Sequence, residues 1–400
     1  MTRFTLASFN LKNLIEAGEE YYRFEQYTPE EYRWKRDWTA GQLVRLNADI
    51  VGFQEVFTES ALRDTIIEAD MAGMNANASV LPPRHKEYSR KAIFQKLEYL
   101  PYTEATLAFA PNLFDGGPGA RRPGVAILSR LGFAEPPVAI QELDAPLEIA
   151  FRDIDGTPSG SYRLTRLSRP VLKARIPVGA QVVTVFNCHL KSKLGEHLDA
   201  PGGGVSPAED LLNYDPLERA TGSLRAGLRR MAEALVLRRA VLAELREGRP
   251  VMVLGDYNDN QHGVASEMTS GEAPFRNYAW MRRHDAETRR DRYTEAEDAL
   301  IREEVERVRL HSAEKLFVRK SLRDMIYTSA FGGVYESIDQ ILMSRHFLPD
   351  HPGHIGEMEY FSVLNDHLTD GSHPEAPYNK LASDHGQIIV HMRLGESDEG

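Results

Sequence analysis

In VMVLGDYND, residues 251–259, an apolar run breaks abruptly into Asp256 and Asn258. Residues two apart in an extended chain point to the same side, so these two side chains project together from the end of a strand. A carboxylate there can take a proton from water, and a carboxamide can hold a water or a phosphate oxygen without changing charge. Gly-Asp-x-Asn is also ordinary turn composition, so the pair by itself leaves both readings open. Other apolar runs in the chain end the same way. Asn10 closes RFTLASFN, and His189 closes QVVTVFNCH with Asn187 and Lys191 on its face. Glu55 ends DIVGFQE, where a carboxylate either suits a hard cation such as Mg²⁺ or Mn²⁺ or caps a helix beginning near Thr58. Asp339 sits among Ile338, Ile341 and Leu342, a costly place for an unpaired acid. Asp384 and His385 stand just before a closing strand, GQIIVHMRL.

The elements that must carry these residues are readable from periodicity. Strands are predicted at 3–11, 49–56, 124–130, 181–189, 251–256, 336–344 and 386–394, with two short ones at 161–167 and 171–176. Thr28, Pro29 and Glu31 supply an N-cap, an N1 proline and a capping-box acid for a helix over 29–46. A leucine stripe at Leu224, Leu228, Met231, Leu235, Leu242 and Leu245 predicts a helix over 223–247, with Arg225, Arg229, Arg230, Arg238 and Arg239 on a solvated face. Thr294 and Glu297 form a second capping box, for a helix running to about His311. Tyr21, Tyr22, Phe24, Tyr27, Trp34 and Trp38 either wall a substrate site or pack the first helix and its approach. Residues 70–122, with Pro82-Pro83, a basic run at 84–91 and the turn FDGGPGARRPG, read as a long irregular connection. Residues 194–222 read as a surface excursion beside the strand ends.

With 400 residues, 42% hydrophobic and 27% charged, the chain has the composition of a soluble globular protein able to build a large core. The N-terminus lacks an apolar signal region, and no stretch reaches the roughly 20 apolar residues of a membrane span, so the expected location is cytoplasmic. A single cysteine, Cys188, excludes an internal disulfide framework and a cysteine-based zinc site, which leaves oxygen and imidazole as metal ligands. The formal net charge of −11 weighs against a large duplex footprint but leaves room for a local basic groove.

In order along the chain, SFNLKN, GFQEV, GVAILSR, NCHLKS, VLGDYND, SIDQILMS and SDH resemble the endonuclease/exonuclease/phosphatase family, the metal-dependent phosphoesterases related to pancreatic-type deoxyribonuclease, abasic-site endonucleases and neutral sphingomyelinases. The pieces span residues 8–385, and each is short, so the ordered set carries the specificity. The resemblance implies an α/β fold: a four-layer α/β/β/α sandwich of two mixed β-sheets with outer helices, as in deoxyribonuclease. It implies one catalytic domain over residues 1–395, with insertions near 70–122, 194–222 and 260–336 and a tail at 396–400. Glu55 is then the principal metal ligand, Asn10 a ligand or water-holding partner, and Asp384 a further acidic group of the metal site. Asp256 orients or deprotonates the attacking water, and Asn258 fixes that water or a phosphate oxygen. His385 contacts the scissile phosphate, oriented by Asp339, while His189 binds the phosphate or assists the leaving oxygen. Two features depart from the pattern. Arg121-Arg122-Pro123 stands where many nucleases carry a phosphate-holding tyrosine, and SDH continues into Gly386.

The expected activity is hydrolysis of a phosphodiester by an activated water with Mg²⁺ or Mn²⁺ as cofactor, most simply as a nuclease. The partner is a phosphodiester substrate, nucleic acid among those allowed, and no protein partner is evident. A small-molecule or lipid-headgroup phosphodiesterase is the alternative within the fold. A binding protein without turnover is the rival from another class, disfavoured because it has no need to gather so many costly acids.

Overall fold

The computed structural model describes residues 2–22, 25–78, 98–113, 122–198, 206–210, 212, 214–271, 293–318, 326–351, 353–369 and 381–395. Phe24, the basic run at 84–91, Arg121 and most of the FDGGPGARRPG turn, and the tail at 396–400 lie outside them. The first half of the chain runs β1 (Arg3–Leu14), α1 (Pro29–Leu46), β2 (Ile50–Val56), α2 (Glu59–Ala78), β3 (Thr106–Ala110), β4 (Gly124–Ser129), β5 (Val138–Arg152), β6 (Pro158–Val178) and β7 (Gln181–His189). The second half runs α3 (Pro216–Arg246), β8 (Val251–Asp256), α4 (Val264–Ser270), α5 (Glu295–Arg307), β9 (Leu310–Ser312), α6 (Ala313–Val318), β10 (Ser329–Phe331), β11 (Val334–Glu336), β12 (Asp339–Ser344), β13 (Gly356–Leu364) and β14 (Gln387–Leu394). Two sheets of six strands result, in the orders β13-β14-β1-β2-β4-β3 and β5-β6-β7-β8-β12-β9. Each contains one parallel pair, β1 with β2 and β7 with β8, among antiparallel neighbours, so both sheets are mixed.

Alternation along the strands separates three apolar layers. Phe4, Leu6 and Ile50 meet Val183, Val185, Met252 and Leu254 between the sheets. Ala7, Phe9, Val51 and Phe53 face α1 and α2 through Leu43 and Leu62. Phe186, Val251 and Val253 face α3 through Leu237, Val241 and Leu245. Helix, sheet, sheet, helix is therefore the order of layers. Gly52 sets the approach of the two sheets: a Cβ there would lie 2.1 Å from Leu254 Cδ1. No helix among the described residues is long and apolar enough to cross a membrane.

Helix α1 occupies the span its capping box predicts, with Thr28 accepting from Glu31 N and Glu31 accepting from Thr28 N. Five expectations need correction. The two short strands at 161–167 and 171–176 are one continuous strand, β6, paired with β5 over residues 158–173 with shifts of register, one of them between Arg166 and Val171. The turn composition at Ser168-Arg169-Pro170 does not break it, because Ser168 N donates to Glu233 on α3 rather than into the ladder, and proline needs no acceptor. The irregular connection expected at 70–122 contains the end of α2 and all of β3, which pairs with β4 at the sheet edge. Helix α3 begins earlier than the leucine stripe suggests, at Pro216 after the N-cap Asp215, and Leu224 is exposed. Its arginines are not a free face: Arg225 and Arg229 pair with Glu218 and Glu196, and Arg230 and Arg238 donate to the carbonyls of Lys191 and Thr269. Helix α5 ends at Arg307, before β9.

The strand register gathers the polar endings at one edge of the sandwich. His189 lies opposite Asp256, and Asp256 lies opposite Asp339, the first residue of β12. Asn10 lies opposite Gln54, one residue before Glu55. β14 starts two residues after His385. Since Leu172 pairs with Asn187, residues 158–169 of β6 continue past this edge, and with β5 they make a hairpin that overhangs it along α3.

Candidate active site

Asp256 is the hub. Gly255 precedes it at φ 140°, and a Cβ there would lie 1.9 Å from the carbonyl oxygen of Cys188, so only glycine lets β8 close on β7 and bring Asp256 beside His189. The carboxylate is 1% exposed. Its Oδ1 accepts from Asn258 N at 2.7 Å, and its Oδ2 accepts from Asn10 Nδ2 at 3.1 Å and Asn258 Nδ2 at 3.2 Å. His189 Nε2 stands 3.3 Å from the same oxygen. Asn258 reaches back because its φ of 49° is left-handed, a region asparagine tolerates, and its amide also donates to Leu190 O at 3.0 Å. Burial, with the charges of Asp339 and Glu55 behind it, pushes the Asp256 carboxyl up to about 7 against the pull of His385 and the Asn258 N–H.

The two imidazoles are held in opposite protonation states. His385 Nδ1 lies 2.8 Å from Asp339 Oδ2, while its Nε2 faces Asn10 Nδ2 at 3.4 Å, Asp256 Oδ2 at 3.9 Å and Asp384 Oδ1 at 4.0 Å. Burial acts against its charged form, but Asp339 and Asp256 outweigh it and raise the imidazole well above the ordinary range. Asp339 is held by its backbone, since Ile338 N and Asp339 N both donate to Thr328 Oγ1 at 3.0 Å. His189 is driven the other way, by burial first and then by Arg169, His385 and Lys191. Neutral, it keeps Nε2 3.3 Å from Asp256 Oδ2 and leaves Nδ1 buried without a partner.

Across the edge, the end of β1 bulges. Lys12 and Asn13 take φ of 50° and 61°, and Glu55 on β2 takes 59°. Three left-handed non-glycine residues in one place are strained backbone at a site. The bulge lets Asn10 Oδ1 accept from Lys12 N at 2.9 Å and Glu55 Oε2 accept from Asn13 N at 3.0 Å. Asn10 Nδ2 lies 3.5 Å from Glu55 Oε1. Asp384 stands at the rim with its side chain 54% exposed, 3.9 Å from Lys12 Nζ. Asn10, Glu55, His189, Asp256, Asn258, Asp339, Asp384 and His385 thus meet at a single edge. The donor set fits a hard divalent cation: Glu55, Asp256, Asp339 and Asp384 offer carboxylate oxygens, and one atom each of Asp256, Asp339 and His385 fall within 4.8 Å of one another. Asn10 as placed turns its NH₂ to the carboxylates and its oxygen to the backbone, so it serves them as a donor.

A model of the Endonuclease/Exonuclease/phosphatase family matches residues 8–385, nearly the whole chain and all eight of these residues. The chain belongs to that family. Members are hydrolases of phosphoester bonds and depend on divalent metal. Solved structures similar to this family member include an endonuclease/exonuclease/phosphatase from Bacteroides vulgatus, 14% identical over 99% of this chain and 100% of that one with a TM-score of 0.46. The human nocturnin catalytic domain with bound sulfate anion is 11% identical over 98% and 95% of the two chains, TM-score 0.47. A mannosyl-6-phosphatase from Bacteroides thetaiotaomicron is 14% identical over 98% and 99%, TM-score 0.43. No curated protein matches.

Further residues hold these eight in place, and of them Glu233 was not singled out from the sequence. Asn187 joins the two sheets, donating to Phe53 O and Ala126 O and accepting from Gln54 Nε2 at 2.6 Å. Its signal was present: a carboxamide at an inward position of an otherwise apolar strand must find partners. Glu233, inside α3, accepts from Ser168 N and Lys191 N and so anchors both segments flanking His189. Lys191 bends back to the carbonyls of Ser192 and Leu194 rather than continuing the strand face. Of the aromatic set, Tyr21 and Tyr27 are buried with Ile15 and Phe57, and Trp38 packs on Phe9, which is the packing alternative. Tyr22 differs. It is 38% exposed with its ring edge-on to Phe57, and its hydroxyl pKa is raised, by desolvation of the hydroxyl and then by Glu55, against Arg169 and Arg122.

Proposed function

We propose that this protein hydrolyses a phosphodiester with a divalent cation, Mg²⁺ or Mn²⁺, held by Glu55 with Asp384 at the rim, while Asn10 donates to the carboxylates around it. When bound, the cation supplies neutralisation of the charge that develops on the phosphoryl oxygens. The carrying observation is the Asp256 carboxylate, buried, hydrogen-bonded by Asn10 and Asn258, with His189 Nε2 3.3 Å away, and poised near neutrality. In this reading Asp256 holds the attacking water and takes its proton, and Asn258 keeps the carboxylate aimed. His385, aligned by Asp339, presents Nε2 to the scissile phosphate as a cationic donor. His189, neutral, steadies Asp256 and faces the leaving-group side. Arg122, Arg169, Lys191 and Tyr22 supply positive potential and a hydroxyl beside Glu55, which suits an anionic substrate.

Nucleic acid is the substrate we place first. The reading of a small-molecule or lipid-headgroup diester is favoured by the net charge of −11, which confines attraction to the local rim. The deciding experiment is hydrolysis of bis-p-nitrophenyl phosphate, plasmid DNA and single-stranded DNA with Mg²⁺, with Mn²⁺ and with chelator. Metal-dependent DNA cleavage is expected. Cleavage of the small diester alone moves the assignment to a small-substrate phosphodiesterase, and no turnover of any of the three overturns it.

A further inference from the structure

Lys35 lies inside α1 and is 0% exposed, an extreme setting for a lysine. Its Nζ donates to two backbone carbonyls, Leu11 O at 3.0 Å and Leu381 O at 3.2 Å, and stands 5.7 Å from the centroid of the Tyr27 ring. Among the described residues no carboxylate lies within ion-pair distance of it. Burial first, then the repulsion of Lys12, brings the ammonium down to about 7, while Glu55 and Asp384 act from further off to hold it up. A buried amine this costly, without a partner of opposite charge, calls for a reason other than packing.

The two carbonyls supply that reason. Leu11 follows Asn10 and opens the bulge that turns Lys12 N onto Asn10 Oδ1 and Asn13 N onto Glu55 Oε2. The bulge takes Leu11 out of register with both neighbouring strands, so its carbonyl needs an acceptor's partner from elsewhere. Leu381 lies just before Ser383, Asp384 and His385. From the site side, Ser383 Oγ donates to Asn10 O at 2.7 Å and accepts from His385 N at 3.0 Å. Lys35 therefore ties, from the helix side, the same two segments that Ser383 ties at the rim. One segment carries Asn10 and the other carries Asp384 and His385, from opposite ends of the chain.

We infer that Lys35 is a positioning residue: its ammonium clamps the β1 bulge to the segment before Asp384-His385 and so sets the spacing of Asn10, Asp384 and His385. The inference rests on the hydrolase reading above. A neutral side chain of similar length fills the same space but leaves both carbonyls without a donor and the two segments free to part. Geometry at the reacting centre is sensitive to such parting, and displacement of about 1 Å costs roughly 100-fold in rate.

The test compares Lys35→Met and Lys35→Arg with the wild-type full chain. Expected for Lys35→Met are a kcat on bis-p-nitrophenyl phosphate about 10- to 100-fold lower with KM within about threefold, and a Mg²⁺ or Mn²⁺ affinity by calorimetry weakened about tenfold. Lys35→Arg, which keeps several donors, is expected to recover most of the loss. A Lys35→Met protein that loses only thermal stability while keeping kcat and metal affinity overturns the clamp, as does an arginine variant as impaired as the methionine one. Lys35→Leu is carried in parallel and decides by the same readouts if Lys35→Met does not fold; failure of both to fold also overturns the clamp, making Lys35 a residue of the core. If the wild type itself shows neither turnover nor metal binding, the hydrolase reading fails, and amide hydrogen exchange then judges the clamp alone. Faster exchange at the Lys12 and His385 amides in Lys35→Met, with β8 unchanged, supports it, and unchanged rates at both amides overturn it.

Discussion

Asp256 accepts from Asn10 and Asn258, with His189 Nε2 3.3 Å away, and still binds its proton up to about pH 7, because burial and two neighbouring carboxylates outweigh the pull of His385 and the Asn258 N–H. Such a group takes a proton from water near neutrality, and its amide isostere does not. Asp256→Asn is therefore expected to lower kcat by about 10²- to 10⁴-fold, and circular dichroism should show a native fold. Turnover near wild type in that variant removes Asp256 from the water-activating role. Glu55 is different: its left-handed backbone and its bond from Asn13 N aim a carboxylate at the gap beside Asn10. Glu55→Gln keeps the shape and removes the charge, so the metal concentration giving half-maximal rate should rise by about tenfold or more. An unmoved metal titration excludes Glu55 as a ligand.

At the scale of elements, the short helix α6 carries a titration that belongs to stability rather than to catalysis. Glu314 is buried, and that burial raises its carboxyl to about 7 against the smaller opposing effects of Ser337 and Lys315. An acid with its folded pKa raised binds more protons folded than unfolded, so its contribution is complete below the ordinary value of 4.5 and is lost as pH rises through about 7. The loss by pH 8 is on the order of 3 kcal/mol. Urea unfolding should show Glu314→Gln matching wild type near pH 4.5 and exceeding it by about 1–3 kcal/mol at pH 8. Equal pH slopes in the two proteins refute this. Helix α3 offers a second check: Asp215 accepts from Leu217 N and Glu218 N, so Asp215→Ala should cost about 1 kcal/mol in the same assay. An unchanged urea midpoint means the cap contributes nothing.

For the whole molecule, substrate choice is a question of field and shape. The overhanging β5–β6 hairpin and α3 flank the site edge, and the cationic groups near it among the described residues include Lys12, Arg122, Arg169 and Lys191, set in a chain of net charge −11. If duplex DNA is the substrate, its cleavage at sub-saturating concentration should fall by about tenfold or more between 50 and 200 mM salt, with bis-p-nitrophenyl phosphate turnover moving less than about twofold. A flat salt response for DNA argues that its phosphates away from the scissile one are not held. Much of this architecture was legible beforehand. Alternation in RFTLASFN and short apolar runs in DIVGFQE and VMVLGD, each broken by a polar residue, are local properties, and they located Asn10, Glu55, Asp256 and the edge where they meet. The capping box at Thr28 likewise placed α1 without outside help. What the chain could not declare locally was anything decided by a distant partner. Ser168-Arg169-Pro170 reads as a turn until Glu233 takes the Ser168 N–H, and Lys35 reads as a surface lysine until α1 lays it against the carbonyls of Leu11 and Leu381. Even Asp256 is an ordinary acid by sequence. Its proton near neutrality comes from Asp339, Glu55 and a dry interior that only the closed sandwich brings together, because desolvation and Coulomb interaction depend on distance in space and not on separation along the chain.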